Sequence, residues 1–421
     1  MQKYILDINC HSRLLEDIKL LREQEKYQGI KLLILTDDLQ RFTDVDEAND
    51  PIVLRECNFS DDDQLASIIQ EFEGQIEGIA YRGDKQVQNV RRVIKHLPAT
   101  IPAPTEQSLK NATNKQLMRK HFLDYAPEIT PNYIEVQNAD SQTLDSIEEH
   151  LDFPVIVKPA NLMSSLLIQS CTNRNELENT LRNVFSTIQE IYKREHRQDD
   201  PQVIVEEFLV GDFYSIDAFV TDPETVYYCP PVGYIASKQI GIDDFSLYKR
   251  FIPTTLTTSE INDANETVKK ALRALDLQYS AAHAELILTQ NGWKVIEVGP
   301  RLGRFRHDMY MESYGIVHGV NDLLIRMNEV PVIPEKFLQY CSAYTIYPKQ
   351  EGKLKKLHGM EILEGKSWIK KLAIIAKEGD DCRFAKNGGH ALAEFIVSTS
   401  DKAEFERITQ AIETTIWAET L

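Results

Sequence analysis

The chain has 421 residues, 42% of them hydrophobic and 27% charged, an ordinary globular composition with length for roughly two to four domains. Its 47 Lys and Arg against 65 Asp and Glu leave a net charge of −18. Nucleic acid and anionic membrane surfaces are therefore poor partners, while a local basic patch for a small anion stays open. No apolar run reaches about 18 residues, so no membrane-spanning helix is expected. Residues 1–9 lack a signal-peptide pattern. Six scattered cysteines, at 10, 57, 171, 229, 341 and 382, make neither a metal-type pair nor a disulfide framework. Free thiols and a cytoplasmic location are the expectation.

In chain order, residues 4–8 read as a strand, and Leu14, Leu15, Ile18 and Leu21 recur at helical spacing. Residues 30–35 form a short continuous apolar run, as a strand buried on both faces does. A helix near residues 65–72, a strand over 76–81 and a helix over 87–94 complete a βαβα order, which predicts a doubly wound parallel sheet. No glycine-rich dinucleotide fingerprint follows the first strand. The loop 81–85 lies at the C-terminal end of a strand, where open α/β sheets place ligands. Pro98, Pro102 and Pro104 mark a boundary, and a polar helix is expected over about 108–125. Strands follow at 155–157, 203–205 and 214–220, with helices at 176–192 and 260–275. The last 85 or so residues alternate short strands and turns and end in a helix over 402–417.

Three segments carry chemistry. Phe153-Pro154-Val155-Ile156-Val157-Lys158-Pro159 ends an apolar strand in a lysine, which needs an anionic partner. Ser164 and Ser165 follow in a short loop suited to a phosphate. Val203-Ile204-Val205-Glu206-Glu207-Phe208-Leu209 ends a strand in two carboxylates. The third segment is a hairpin, His283-Ala284-Glu285 and Glu297-Val298-Gly299-Pro300-Arg301 around Asn291-Gly292. An Asn291-Gly292 loop pairs Glu285 with Val298. A three-residue loop from Gln290 to Gly292 pairs Glu285 with Glu297 and puts Gly292 in the left-handed region. In that second register His283, Glu285, Glu297, Gly299 and Arg301 share a side, and a divalent cation would relieve the repulsion of the opposed carboxylates. Arg301 adds an anion binder. Together these parts suit phosphoryl transfer from a nucleoside triphosphate.

The order of these segments resembles the ATP-grasp superfamily of carboxylate–amine ligases, and the motifs His283-Ala284-Glu285 and Glu297-Val298-Gly299-Pro300-Arg301-Leu302-Gly303 resemble the L-amino-acid ligase type. The resemblance implies an α/β and α+β multidomain chain. It would have an N-terminal doubly wound domain at 1–105, an ATP-grasp core at 106–335 with a lid at about 131–206, and a C-terminal α+β domain at 336–421. It implies ATP contacts from Lys115, Lys158, Ser164, Ser165, Glu206, Glu207, Phe208 and Leu209. Mg²⁺, or Mn²⁺ in its place, would sit on Glu285 and Glu297, and Arg301 and Lys158 would act at the acyl-phosphate step. His283, Arg304 and Arg306 become candidates for substrate contact. The implied reaction joins a small carboxylate to an amine, and homodimers are common in such families. Three departures stand out. The family's glycine-rich loop reads Asn161-Leu162-Met163-Ser164-Ser165-Leu166-Leu167, Phe213 stands where a ribose-binding Glu is common, with Asp212 or Asp217 as substitutes, and Gly299 replaces a common Asn. They leave open a nucleotide-binding protein without ligase chemistry, or a different acceptor of the purine-pathway or carboxylase kind.

Overall fold

The computed structural model describes residues 2–9, 12–43, 45–83, 86–162, 166–194 and 200–421. The N-terminal sheet is parallel, in the order β3-β2-β1-β4, from β1 (Lys3–Ile8), β2 (Ile30–Thr36), β3 (Ile52–Glu56) and β4 (Ile76–Ala80). β2, Ile-Lys-Leu-Leu-Ile-Leu-Thr, is buried along almost its whole length because helices cover both faces. Helix α1 (Ser12–Leu21) packs on one face, and α2 (Asp62–Glu71) and α3 (Val87–Val93) on the other. The chain reverses direction across the sheet between β1 and β4, so the loops leaving those strands open a crevice.

The polar helix expected over 108–125 is two helices, α4 (Glu106–Thr113) and α5 (Lys115–Tyr125). Asn114 separates them in extended conformation (φ −123°, ψ 111°), and its side chain accepts from the Leu117 amide at 3.1 Å. An asparagine that caps a new helix ends the old one. A four-stranded antiparallel sheet follows, ordered β5-β8-β6-β7. It comprises β5 (Tyr133–Val136), β6 (Val155–Pro159), β7 (Gln169–Cys171) and β8 (Val203–Glu207), with α6 (Ser141–His150) and α7 (Arg174–Arg194) packed on it.

The remaining chain builds a larger sheet. Its first part is β9 (Asp212–Asp222), β10 (Thr225–Tyr228), β11 (Val232–Ala236), β12 (Leu247–Ile252), α8 (Thr258–Ala274), β13 (Ser280–Thr289), β14 (Gly292–Gly299), α9 (Arg306–Tyr314) and α10 (His318–Arg326). Then come β15 (Tyr340–Ile346), β16 (Gly352–His358), β17 (Ile369–Ile374), β18 (Asp381–Cys382), β19 (Ala393–Thr399), α11 (Lys402–Thr415) and β20 (Trp417–Thr420). The large sheet runs β14-β13-β9-β11-β12-β15-β19-β17, with β10 on β9, and β18-β16-β20 form a small separate sheet. Residue 335 thus falls between strands of one continuous sheet. Cys57, Cys171, Cys229, Cys341 and Cys382 are buried free thiols, and Cys10 lies outside the described residues. Among the described residues no helix is long and apolar enough to cross a membrane.

The N-terminal sheet is locked onto the rest where β4 meets the end of α10. A Cβ on Gly78 would lie 2.0 Å from the Arg326 carbonyl oxygen, a backbone atom that cannot step aside alone. Gly78→Ala should therefore lower the apparent unfolding free energy in urea by about 1–3 kcal/mol. Gly29→Ala, with nothing within 4 Å of the added carbon, should stay within about 0.5 kcal/mol.

Candidate active site

A cavity of about 500 Å³ opens where the β5-β8-β6-β7 sheet, the large sheet and α5 converge. Its floor is an ion cluster set by strand register. In the β6–β8 pair Ile156 opposes Glu206 and Lys158 opposes Ile204, so Lys158 and Glu206 are diagonal neighbours on one face. Lys158 Nζ donates to Glu206 Oε2 at 2.7 Å. On α5, Arg119 follows Lys115 by four residues and shares its face. Its Nε donates to Glu206 Oε1 at 2.8 Å, and its Nη2 to the Ile296 carbonyl at 2.6 Å. All three groups are buried. Burial alone would raise the Glu206 carboxyl, but the charges of Arg119 and Lys158 outweigh it and hold it at about 2. Burial lowers the Lys158 ammonium, against the pull of Glu206. One carboxylate thus serves two cations, and Arg119 Nη1 is buried without a hydrogen-bond partner among the described residues.

The hairpin matches neither expected loop. Thr289 pairs with Gly292 across Gln290-Asn291, and Leu286 pairs with Val295. The register then shifts by one residue, with Ile296 left over, and Glu285 faces Glu297. A β-bulge accomplishes what a three-residue loop would have done. The bulged carbonyl is the one that Arg119 binds. Gly292 does adopt the left-handed region, at φ +96°. Lys115 Nζ donates to Glu297 Oε1 and to the Leu162 carbonyl, both at 3.1 Å. Burial would raise the Glu285 carboxyl, yet the hydrogen bond and charge of His283, with the charges of Arg301 and Arg250, bring it to about 2. His283 is oriented from behind: its Nδ1 lies 2.6 Å from Asp217 Oδ1, and its Nε2 lies 3.5 Å from Glu285 Oε1. Burial lowers the His283 imidazole, but Asp217 outweighs this and raises it. Gly303 fits against this pair: its amide donates to Asp217 Oδ2 at 2.8 Å, and a Cβ there would meet His283 Nδ1 at 2.5 Å.

Other expected residues divide. Lys115, Lys158, Glu206, Glu207, Phe208, Leu209, His283, Glu285, Glu297, Arg301 and Arg304 all line the cavity. Arg306 does not. It is fully buried, donates to Ser215 Oγ at 2.7 Å and Tyr234 OH at 2.5 Å, and sits 3.7 Å from Asp217, so in this structure it braces the wall from behind. Asp212 is exposed at the start of β9 and is absent from the lining, where Phe213 stands. Asp217, its alternative, is committed to His283 and Gly303. The Phe208 amide donates to the Pro154 carbonyl at 3.1 Å, which takes it out of any adenine-gripping set. The Glu207 carboxylate accepts from Asn132 N and Nδ2 at 3.0 and 3.3 Å. Arg304 pairs with Glu394 at the rim. Ser164 and Ser165 lie outside the described residues, as do Asp84 and Lys85, while Gly83 of the same loop lines the cavity.

Sequence reading passed over Arg119 and Arg250. Arg119 was legible as the second basic residue on one helical face; Arg250 leaves no pattern of its own. Among the described residues, no group of three or more His, Cys, Asp and Glu could hold a metal alone. Glu285 and Glu297 supply two carboxylates, which suits a Mg²⁺ ion completed by phosphate oxygens and water. Glu206→Gln would leave Arg119 and Lys158 buried without a counter-charge, so stability at pH 7 should fall by about 3–5 kcal/mol. The fold favours ionised Glu206. Its contribution is therefore complete above the ordinary value of 4.5 and is lost as pH falls toward 2. Denaturant titrations across that window should show a shallower acid loss in the variant than in the parent.

Residues 151–307 match the family described as ATP-grasp domain. The D-alanine–D-alanine ligase of Bacillus velezensis is 31% identical over 165 residues, covering 38% of this chain and 42% of that protein. The D-alanine–D-alanine ligase of Listeria welshimeri is 37% identical over 213 residues, covering 47% and 53%. The chain thus spans about half the length of these relatives, or less. Among solved structures, the L-amino acid ligase from Bacillus licheniformis superposes with a TM-score of 0.69 at 18% identity, covering 100% of this chain and 99% of that one. The N5-carboxyaminoimidazole synthetase from Staphylococcus aureus, complexed with ADP, gives 0.67 at 16% identity, covering 98% and 97%. The chain thus carries an ATP-grasp domain at residues 151–307 and shares its fold along its whole length with these solved structures.

Proposed function

We propose that the protein is an ATP-dependent ligase that joins a carboxylate, an amino acid's in the first instance, to an amine. The observation that carries this reading is the pairing of Glu285 with Glu297 inside a cavity whose other wall presents Lys115 and Lys158. The apolar slot formed by Ile156, Leu162, Phe208, Phe213 and Ile287 accepts an adenine, with the backbone on either side of Phe208 to bind its edge. Lys115 and Lys158 then face the phosphates. A Mg²⁺ held by Glu285 and Glu297 would neutralise phosphate charge and polarise the transferring group.

In the first step a substrate carboxylate oxygen attacks the γ-phosphorus and the bond to ADP breaks, giving an acyl phosphate. In the second, the amine nitrogen attacks the acyl carbon, the carbon–oxygen bond to phosphate breaks, and the amine proton leaves with phosphate or water. Arg301 is the residue for the transferring group, since it lines the cavity next to the carboxylate pair. His283, buried and anchored on Asp217, keeps Glu285 aimed and ionised. Arg304 guards the rim on the substrate side.

The test is ADP and phosphate release from Mg–ATP across pairs of amino acids. Glu297→Ala should cut that release by about a hundredfold or more, while calorimetry with ATP still registers binding. Tight ATP binding with no release for any carboxylate and amine would replace the ligase reading with that of a nucleotide-binding protein.

A further inference from the structure

Four arginines among the described residues are buried, and three of them have a carboxylate: Arg119 on Glu206 at 2.8 Å, Arg326 on Asp322 at 3.1 Å, and Arg306 near Asp217 at 3.7 Å. Arg250 is the exception. It is 8% exposed, lines the cavity, and has no carboxylate within ion-pair distance among the described residues. Its two hydrogen bonds among the described residues both leave from Nη1, to the Leu247 carbonyl at 3.3 Å and Thr345 Oγ1 at 3.0 Å. Nε and Nη2 are left for something else. The Phe305 ring lies 5.0 Å and the Tyr234 ring 5.9 Å from the guanidinium, which fixes its plane without neutralising it. A buried cation whose direct contacts are neutral and whose acidic neighbour Glu285 stays beyond ion-pair distance is costly, and burial pushes Arg250 down to about 10, with Arg306 and Arg304 adding to the effect and Tyr234 and Glu285 opposing it.

Arg250 enters the cavity from a different wall than the lysines. Lys115, Lys158 and Glu206 come from α5 and the β5-β8-β6-β7 sheet, whereas Arg250 is on β12, paired with β15, on the side of Thr345, Tyr347 and Arg304. Phosphate charge already has its lysines. An anion at Arg250 belongs to the other substrate. Resting on the ligase reading above, we propose that Arg250 is a specificity-determining residue that binds a substrate carboxylate which the reaction does not consume. A guanidinium with two nitrogens unengaged takes a carboxylate side-on through two parallel hydrogen bonds. That carboxylate is either the α-carboxylate of the amine-donating amino acid or the side-chain carboxylate of an acidic one.

Binding can be read without turnover. The full chain is loaded with Mg²⁺ and a non-hydrolysable ATP analogue, and titrated by calorimetry with alanine against alaninamide, glutamate against glutamine, and aspartate against asparagine. At least one carboxylate should bind roughly tenfold more tightly than its amide. Preference in the alanine pair assigns the α-carboxylate, and preference confined to the acidic pairs assigns the side chain. Arg250→Gln should reduce the preference to less than about twofold, and Arg250→Lys should retain part of it. Should Arg250→Gln not fold, Arg250→Lys carries the test through a severalfold loss of preference. The inference is overturned if no pair shows a carboxylate preference, if the preference survives either variant undiminished, or if nucleotide affinity falls as much as the preference does. Carboxylate preference without ADP release keeps the Arg250 site and removes the ligase reading. ADP release without the preference does the reverse.

Discussion

Glu206 is the carboxylate on which the site is assembled. It sits at the end of β8, takes Lys158 from β6 and Arg119 from α5, and through Arg119 reaches the Ile296 carbonyl on β14. Four elements from both sides of the cavity thus meet at one buried charge. The consequence is more than cohesion. The bulge at Ile296 puts Glu285 opposite Glu297, and a bulged residue leaves its backbone groups without a ladder partner. Arg119 supplies that partner. Neutralising the cations and shaping the carboxylate pair are therefore one arrangement, and neither can be altered without the other.

The same arrangement reconciles a basic site with an acidic chain. The cavity wall carries Lys115, Arg119, Lys158, Arg250, Arg301 and Arg304 against Glu206, Glu207, Glu285 and Glu297. Cations outnumber carboxylates there, while the chain as a whole stands at −18. A small polyanion carried with a divalent cation finds a local excess of positive charge inside low-dielectric walls, where each charge counts for more. A long polyanion would have to lie across the acidic exterior as well.

Periodicity made the backbone readable. The buried run of β2, the alternation of strands and helices before residue 95, and the hairpin that ends in Arg301 all surface as apolar runs or apolar periods. Two kinds of feature do not. One is the local exception: Asn114 cuts one helix into two, and a single extra residue at Ile296 resets a register that loop length seemed to decide. Each costs one position and leaves the pattern on both sides intact. The other is allocation. Arg304 and Arg306 are two residues apart and chemically identical, yet Arg304 reaches the rim while Arg306 turns inward to Ser215 and Tyr234. Asp212 and Asp217 divide the same way along β9, one exposed and one buried on His283. Which member of such a pair lines the cavity depends on strand faces and on partners 66 to 91 residues away in the chain, and no local spacing encodes it.

The glycine-poor loop takes on a different meaning in this light. A phosphate-closing loop without glycine should resist the left-handed conformations that let backbone amides converge. Leu167 adopts that conformation nonetheless, at φ +59°, which for a leucine costs about 1–2 kcal/mol. Its amide donates to the Lys386 carbonyl at 3.1 Å, and the Lys386 and Ala385 amides are held in turn by Asp244, at 3.2 and 2.9 Å. Lys386 Nζ pairs with Asp243 at 2.7 Å. The segment after β18 therefore grips the base of the loop from outside and is itself anchored to the chain between β11 and β12. Where glycine would adopt this conformation freely, here tertiary contacts from the C-terminal part of the chain hold Leu167 against its intrinsic preference. Strain of this kind persists only where the surroundings over-determine it. The C-terminal segment, whose Ala385 lines the cavity, is on this account a structural part of the site.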